Sequence, residues 1–284
     1  MNSRAVLVGS LRPELGVSGD HDGLLVADIR HPDAVESLLG GIYRNGELPL
    51  VTCRSADLEA VRRLVTFASV RYPGLRASID PLPGSPLCVG VISSLVDDIT
   101  ADARTPAADV LAWRLAALDL LRRQVWSAVW LPSVAGLDDG PQPGVAKHVR
   151  SWLPGAGFLA VHFPTREVVS ASRAPITGLE ERPDSALVHS AATQHPWVVE
   201  AMRDAIQPAS VSELTTVREP VDSFGTAEAI ELLTVPLSFH AHSRPDPDAI
   251  TECGACGVRH ARSTCPVCRM TAQSRGVAPM EAAQ

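Results

Sequence analysis

The chain carries two Cys-x-x-Cys pairs, Cys253/Cys256 and Cys265/Cys268, with only eight residues between them. A two-residue spacer lets two thiolates of one tight turn grip a single ion, and Zn²⁺ favours four soft ligands in a tetrahedron. Gly254, Ala255 and Gly257 are small enough to allow the first turn, and Pro266 stiffens the second. Four cysteines complete the coordination shell, which points to a structural Zn²⁺ rather than a catalytic one with an open position. The competing assignments are a disulfide pair, which needs an oxidising compartment, and a thioredoxin-like redox site, which needs only one pair.

The spacing resembles a short zinc ribbon, expected over residues 246–272 with a frayed tail over 273–284. The whole chain, at 284 residues, is long enough for one large or two modest domains. It is 45% hydrophobic and 20% charged, with a net charge of −7, an acidic balance that argues against a general nucleic-acid binder. Arg259, Arg262, Arg269 and Arg275 make the tail locally basic, and four arginines read as solvated charge. The apolar run at the amino terminus is too short for a signal peptide. The longest apolar stretch, Val110–Leu131, is broken by Arg114, Asp119, Arg122 and Arg123, so no membrane helix is expected. The expected compartment is the cytoplasm, where all six cysteines stay reduced.

Hydrophobic periodicity organises the rest. Ala5–Val8 and Gly23–Ile29 read as strands. Pro32 opens a helix through Tyr43 that Asn45-Gly46 ends, and Leu48–Cys53 reads as a buried strand. A helix then runs from Ser55 or Asp57 to Pro73-Gly74. Strand, helix, strand, helix implies a parallel α/β sheet in three layers. Ala77–Leu82 and Leu87–Ser93 follow as strands, then a long helix from Thr105-Pro106 with a stripe of Leu111, Leu115, Leu118, Leu121 and Val125. The Gly/Pro/Asp stretch 135–144 reads as a linker. Beyond it Phe158–Phe163 and Glu167–Ser172 suggest a hairpin, Ser185–Ile206 a helix and Glu231–Phe239 a strand. The expected division is 1–134 for an α/β domain, 145–245 for an α+β segment, and the ribbon.

The usual catalytic and nucleotide-binding motifs are missing: no glycine-rich dinucleotide loop, phosphate loop, nucleophile elbow or His-Glu-x-x-His. Lys147 is the only lysine. Asp28 ends a strand where dinucleotide folds place a ribose carboxylate, but a turn role beside His31-Pro32 is favoured. His21 sits between Asp20 and Asp22. His240 and His242 would share one strand face, a candidate second metal site or an exposed edge. His260 is a spare ligand within the ribbon loop. Cys53 and Cys88, in apolar runs, read as buried structural thiols.

Two stretches resemble the ThiF-type, ubiquitin-activating-like fold: Asp22–Ile29 with the helix after it, and Asn45–Thr52, which matches that fold's "G-x-P-L-V" strand. Asp80-Pro-Leu-Pro-Gly-Ser-Pro-Leu-Cys88 resembles a "P-L-x-x-P-G-x-x-x-C" region of ThiF-like partner proteins in azoline-forming peptide modification. The resemblance implies a partial Rossmann-like sheet, a tetrathiolate zinc, and partnership with a YcaO-type cyclodehydratase and its precursor peptide. On it, the chain is a non-catalytic subunit of a hetero-oligomer, with a strand edge such as 155–163 receiving the peptide. The alternatives are an enzyme using Asp28, His148 and His162, and a regulatory protein whose ribbon contacts nucleic acid.

Overall fold

A computed structural model describes residues 3–9, 25–100, 106–134, 156–172, 175–214, 220–238 and 246–271. Two sheets share one layer of helices. The first sheet is parallel, in the order β2-β1-β3-β4, from β1 (Ser3–Gly9), β2 (Leu25–Asp28), β3 (Leu48–Arg54) and β4 (Ser78–Leu82). Its crossovers are α1 (Pro32–Arg44) and α2 (Leu58–Arg71), as the periodicity requires. Pro32 stands in the first turn of α1, where its missing N–H is no loss. Gly46, at φ +70°, supplies the left-handed turn that ends the helix and starts β3.

Side chains alternate across β3. Val51 and Cys53 face Val35 and Leu39 of α1 and Val61 and Ala68 of α2, while Leu48 and Leu50 face the opposite way. That opposite face meets α3 (Pro86–Thr100) and α4 (Val110–Gln124). The same two helices also cover Phe163, Val188 and Leu233 of the second sheet. The second sheet is mixed, in the order β7-β6-β5-β10-β8-β9. Its strands are β5 (Trp126–Leu131), β6 (Phe158–Phe163), β7 (Glu167–Ser170), β8 (Ser185–His189), β9 (Ser210–Glu213) and β10 (Ile230–Pro236). Its far face packs on α5 (Pro196–Ile206) through Val198, Met202 and Ile206. A short α6 (Pro220–Phe224) precedes β10. The layers therefore run helix, sheet, helix, sheet, helix, five instead of the three expected. The chain is α/β, and no helix among the described residues is long and apolar enough to cross a membrane.

The shared helix layer is held by specific polar contacts. Glu231 of β10, 1% exposed, accepts a 2.7 Å hydrogen bond from the Leu87 N–H at the start of α3. A carboxylate there satisfies a helix-end donor and opposes the positive end of the helix dipole. Arg114 of α4 donates to Asp97 of α3 at 2.6 Å with both side chains buried.

Two expected elements fail. Leu87–Ser93 lies within α3, not in a strand: an unbroken apolar run suits a helix buried on both sides as well as a strand. Ser185–Ile206 divides into β8 and α5, because Pro196 starts a new helix that Gln207, at φ 52°, ends. β5, all six residues buried, carried no expectation as a strand. The hairpin β6–β7 forms, but β6 lies between β7 and β5, so it is no free edge for a peptide. The stretch 135–144 lies outside the described residues.

Candidate metal centre

The four ribbon cysteines come together from two equivalent turns. In each, the first cysteine N–H pairs with a later carbonyl, Cys253 with Val258 and Cys265 with Met270. The residue four positions on from the first cysteine returns a bond to that cysteine's carbonyl: Gly257 to Cys253 and Arg269 to Cys265. Both of those residues are left-handed, at φ +70° and 63°, which a glycine adopts without strain. The short strands β11 (Thr251–Glu252) and β12 (Arg259–His260) flank the first turn.

This folding places Cys253 Sγ 3.5 Å from Cys268 Sγ, and Cys256 Sγ 3.5 Å from Cys265 Sγ. All four sulfurs lie within 4.8 Å of one another, and no disulfide joins them. A tetrahedral Zn²⁺ with Zn–S near 2.3 Å requires sulfurs about 3.8 Å apart, so the donor set fits that ion. Backbone N–H groups of Ala255 and Cys256 point at Cys253 Sγ and lower its pKa, while burial raises those of Cys256 and Cys265, so a metal entering the cluster displaces protons from the rest. His260 is buried at 1% exposure with Nδ1 unpartnered, and it lies outside the four-sulfur cluster.

The ribbon is seated on the body of the protein by arginines that the sequence presents as solvated charge. Arg259 pairs with Asp109 at 2.5 Å, and Arg262 with Asp80 at 2.6 Å and Asp119 at 2.7 Å. Arg122 of α4 also binds both Asp80 and Asp119. Arg76 donates to the Cys256 carbonyl, Arg269 to the Ile79 carbonyl, and Val258 enters the shared core. Arg259 and Arg262 thus bond to the chain's own carboxylates.

A second constellation lies at the carboxyl end of β3. Arg54 closes the strand, Ser55–Asp57 form a turn, and α2 begins. Arg54 Nε meets Asp57 Oδ2 at 3.1 Å. Thr52 and Ser93 share a buried 2.7 Å hydrogen bond between β3 and α3. From β6, His162 is buried with its Nε2 unpartnered. Burial first, then Arg166 and Arg54, push its pKa down to about 4.

The remaining candidates do not form a catalytic group. Asp28 opposes burial with hydrogen bonds from Arg30 through both carboxylate oxygens, which hold its pKa below the usual value. It shares no hydrogen bond with His162. Cys53 and Cys88 are buried, and burial pushes both thiols up to about 12. His21, Lys147, His148, His240, His242 and Arg275 lie outside the described residues. Nothing in the sequence marks Arg54, whose partners depend on the turn after β3, or Asp80, which looks like any strand-end acid.

Similarity to solved structures decides the fold. A DegV family protein from Corynebacterium glutamicum matches at a TM-score of 0.53 and 13% identity, over 86% of this chain and 99% of that one. A Thermotoga maritima protein described as having a fatty acid binding function matches at 0.55 and 10% identity, over 84% and 100%. A DegV family protein from Eubacterium eligens, loaded with heptadecanoic acid, matches at 0.53 and 7% identity, over 82% and 99%. The fold is DegV-like. No family model and no curated protein matches the sequence.

The DegV-like fold replaces the ThiF-like resemblance, and with it the peptide-scaffolding role and the YcaO-type and precursor-peptide partners. The motifs behind that resemblance mark a strand, a helix and a second parallel strand, which many α/β sheets contain. The decisive stretch, Asp80–Cys88, turns into α3 and brings it against a second sheet through Glu231. That second sheet packs on the shared helix layer through Phe163, Val188 and Leu233 and has no place in the expected three-layer domain.

Proposed function

We propose that this chain is a fatty-acid-binding protein on a DegV-like scaffold, stapled by a structural Zn²⁺ held by Cys253, Cys256, Cys265 and Cys268. The observation that carries the lipid part is the likeness over more than four-fifths of the chain to structures described as binding fatty acid, one of them loaded with heptadecanoic acid. The zinc part rests on four sulfurs at tetrahedral spacing in two N–H-lined turns. Zinc in a closed thiolate shell supplies folding free energy and no open position for chemistry. Reduced thiols imply a cytoplasmic setting.

Native mass spectrometry of the purified protein tests both parts. The expected spectrum shows one zinc per chain and, after titration with heptadecanoic acid, one bound acyl chain. Saturating fatty acid with no mass shift and no rise in melting temperature would remove the lipid assignment. A chain that folds fully after verified zinc removal would remove the staple.

A further inference from the structure

The two turns of the ribbon repeat one arrangement at sulfur. The first cysteine of each is buried, Cys253 at 8% exposed and Cys265 at 0%, while the second, Cys256 or Cys268, is part-exposed. Backbone N–H groups aim at each buried sulfur: those of Ala255 and Cys256 at Cys253, those of Val267 and Cys268 at Cys265. Each turn thus presents one sulfur to solvent and holds the other fixed behind it.

The close sulfur contacts run between the turns. Cys268 Sγ lies 3.5 Å from Cys253 Sγ, and Cys256 Sγ lies 3.5 Å from Cys265 Sγ. Each contact therefore joins a reachable sulfur to a sheltered one. An accessible thiol with a second thiol poised beside it is what a cysteine pair needs to oxidise to a disulfide. Cys53 and Cys88 lack the first requirement, since both are fully buried and burial holds both thiols protonated.

Resting on the zinc reading, we propose that the ribbon is a peroxide-sensitive modification site, in which two disulfides, Cys253–Cys268 and Cys256–Cys265, take the place of the metal. Peroxide attacks the sulfur of Cys256 or Cys268: an S–O bond forms, the O–O bond breaks and hydroxide leaves. The buried partner then attacks that sulfenic sulfur, forming the S–S bond and expelling the second oxygen as hydroxide. After the first bridge zinc keeps two thiolates, too few for its tetrahedral shell, and departs. The second pair reacts in the same way. Two peroxides are reduced, four thiolates give up four electrons, and four protons from solvent turn the hydroxides into water.

The two bridges are nested. Both enclose residues 257–264, which carry Val258, Arg259 and Arg262, the side chains that seat the ribbon on the body. A disulfide restricts the unfolded chain by closing this loop, as the metal does. Zinc leaves and the ribbon stays seated. Bridges within each turn, Cys253–Cys256 and Cys265–Cys268, would instead leave the two turns unconnected. In a reducing compartment the bridges are transient, so the exchange reports a passing oxidant.

The test treats the zinc-loaded full chain with hydrogen peroxide beside a chromogenic zinc indicator, with chelated, reduced protein as the reference. The expected result is release of one zinc per chain for two peroxides consumed, and renewed zinc binding after a dithiol reductant. Peptide mapping should find Cys253 linked to Cys268 and Cys256 to Cys265, with Cys53 and Cys88 still reduced. The urea midpoint of the oxidised chain stays at that of the zinc-loaded chain, while the chelated, reduced chain unfolds at lower urea. Zinc retained under peroxide, bridges inside the turns, sulfinic acid without a bridge, or a midpoint fallen to the chelated value would each overturn this inference alone. A purified chain that holds no zinc and takes none up from solution would overturn the zinc reading beneath it.

Discussion

Arg262 and Asp80, 182 positions apart in the chain, meet at 2.6 Å between the ribbon and β4. Asp80 is 4% exposed and is also held by Arg122, while Arg262 divides its guanidinium between Asp80 and Asp119. Four side chains of alternating charge thus join the first sheet, α4 and the ribbon.

Arg262→Gln leaves a buried carboxylate with one of its two cations. Removing a single partner from a buried pair costs several kcal/mol, and the remaining Arg122 and the part-exposed position of Arg262 reduce this to about 2 kcal/mol. Urea unfolding of the zinc-loaded protein should show a lower midpoint with an unchanged slope. A midpoint equal to that of the native chain would mean that the network is too well solvated to matter.

The thiols divide into two classes. With zinc bound, none of the six cysteines should react quickly with a thiol-specific chromogenic disulfide. A strong chelator should free the four ribbon thiols, leaving Cys53 and Cys88 silent because both are fully buried and held protonated. Cys253→Ser should likewise open the ribbon to proteolysis while the parallel sheet stays protected. Reaction of all the thiols before chelation would count against a metal-filled cluster.

Stability should depend on pH through His162. Its pKa is about 4 in the folded chain, below the ordinary 6.5, so above pH 6.5 the ring is neutral in both states and contributes nothing. As pH falls from 6.5 to 4, the unfolded chain binds a proton that the folded chain refuses. Stability then drops, by up to about 3 kcal/mol, and levels off below the folded pKa. Chemical unfolding across this window should show that slope, and His162→Leu should flatten it. Equal slopes in the two proteins would place the titration elsewhere.

Gly157 has no room for a side chain. A methyl group there would press on the carbonyl oxygen of Ala171 and lie 2.8 Å from the indole nitrogen of Trp130. That nitrogen donates to the same carbonyl at 3.1 Å, so nothing can yield without breaking a buried bond. Gly157→Ala should cost about 2–3 kcal/mol, read as a lower melting temperature. A fully stable variant would show that β7 can shift outward.

Local pattern was enough for α1 and α2, where one face is buried and the other is not, and for β3 and the β6–β7 hairpin, whose short apolar runs end at turn residues. It was not enough for α3, because a helix packed between two sheets loses its polar face and reads as a strand. The four cysteines announce themselves through spacing alone. The seat of the ribbon does not, since Asp80, Asp109 and Asp119 look like ordinary surface acids until the fold brings Arg259 and Arg262 to them. Arg54 carries no such signal either, since its pairing with Asp57 depends on the turn after β3.

The order in which the chain is made gives the Arg262–Asp80 contact a temporal meaning. A ribosome adding 5–20 residues per second delivers Arg262 roughly ten to forty seconds after Asp80. During that wait the first sheet and α4 can assemble with Arg122 alone guarding the buried acid. On the proposed zinc reading the ribbon, arriving late, acts as a closing seal, so a newborn chain that finds no zinc would carry its half-neutralised acid as a lasting mark of incompleteness.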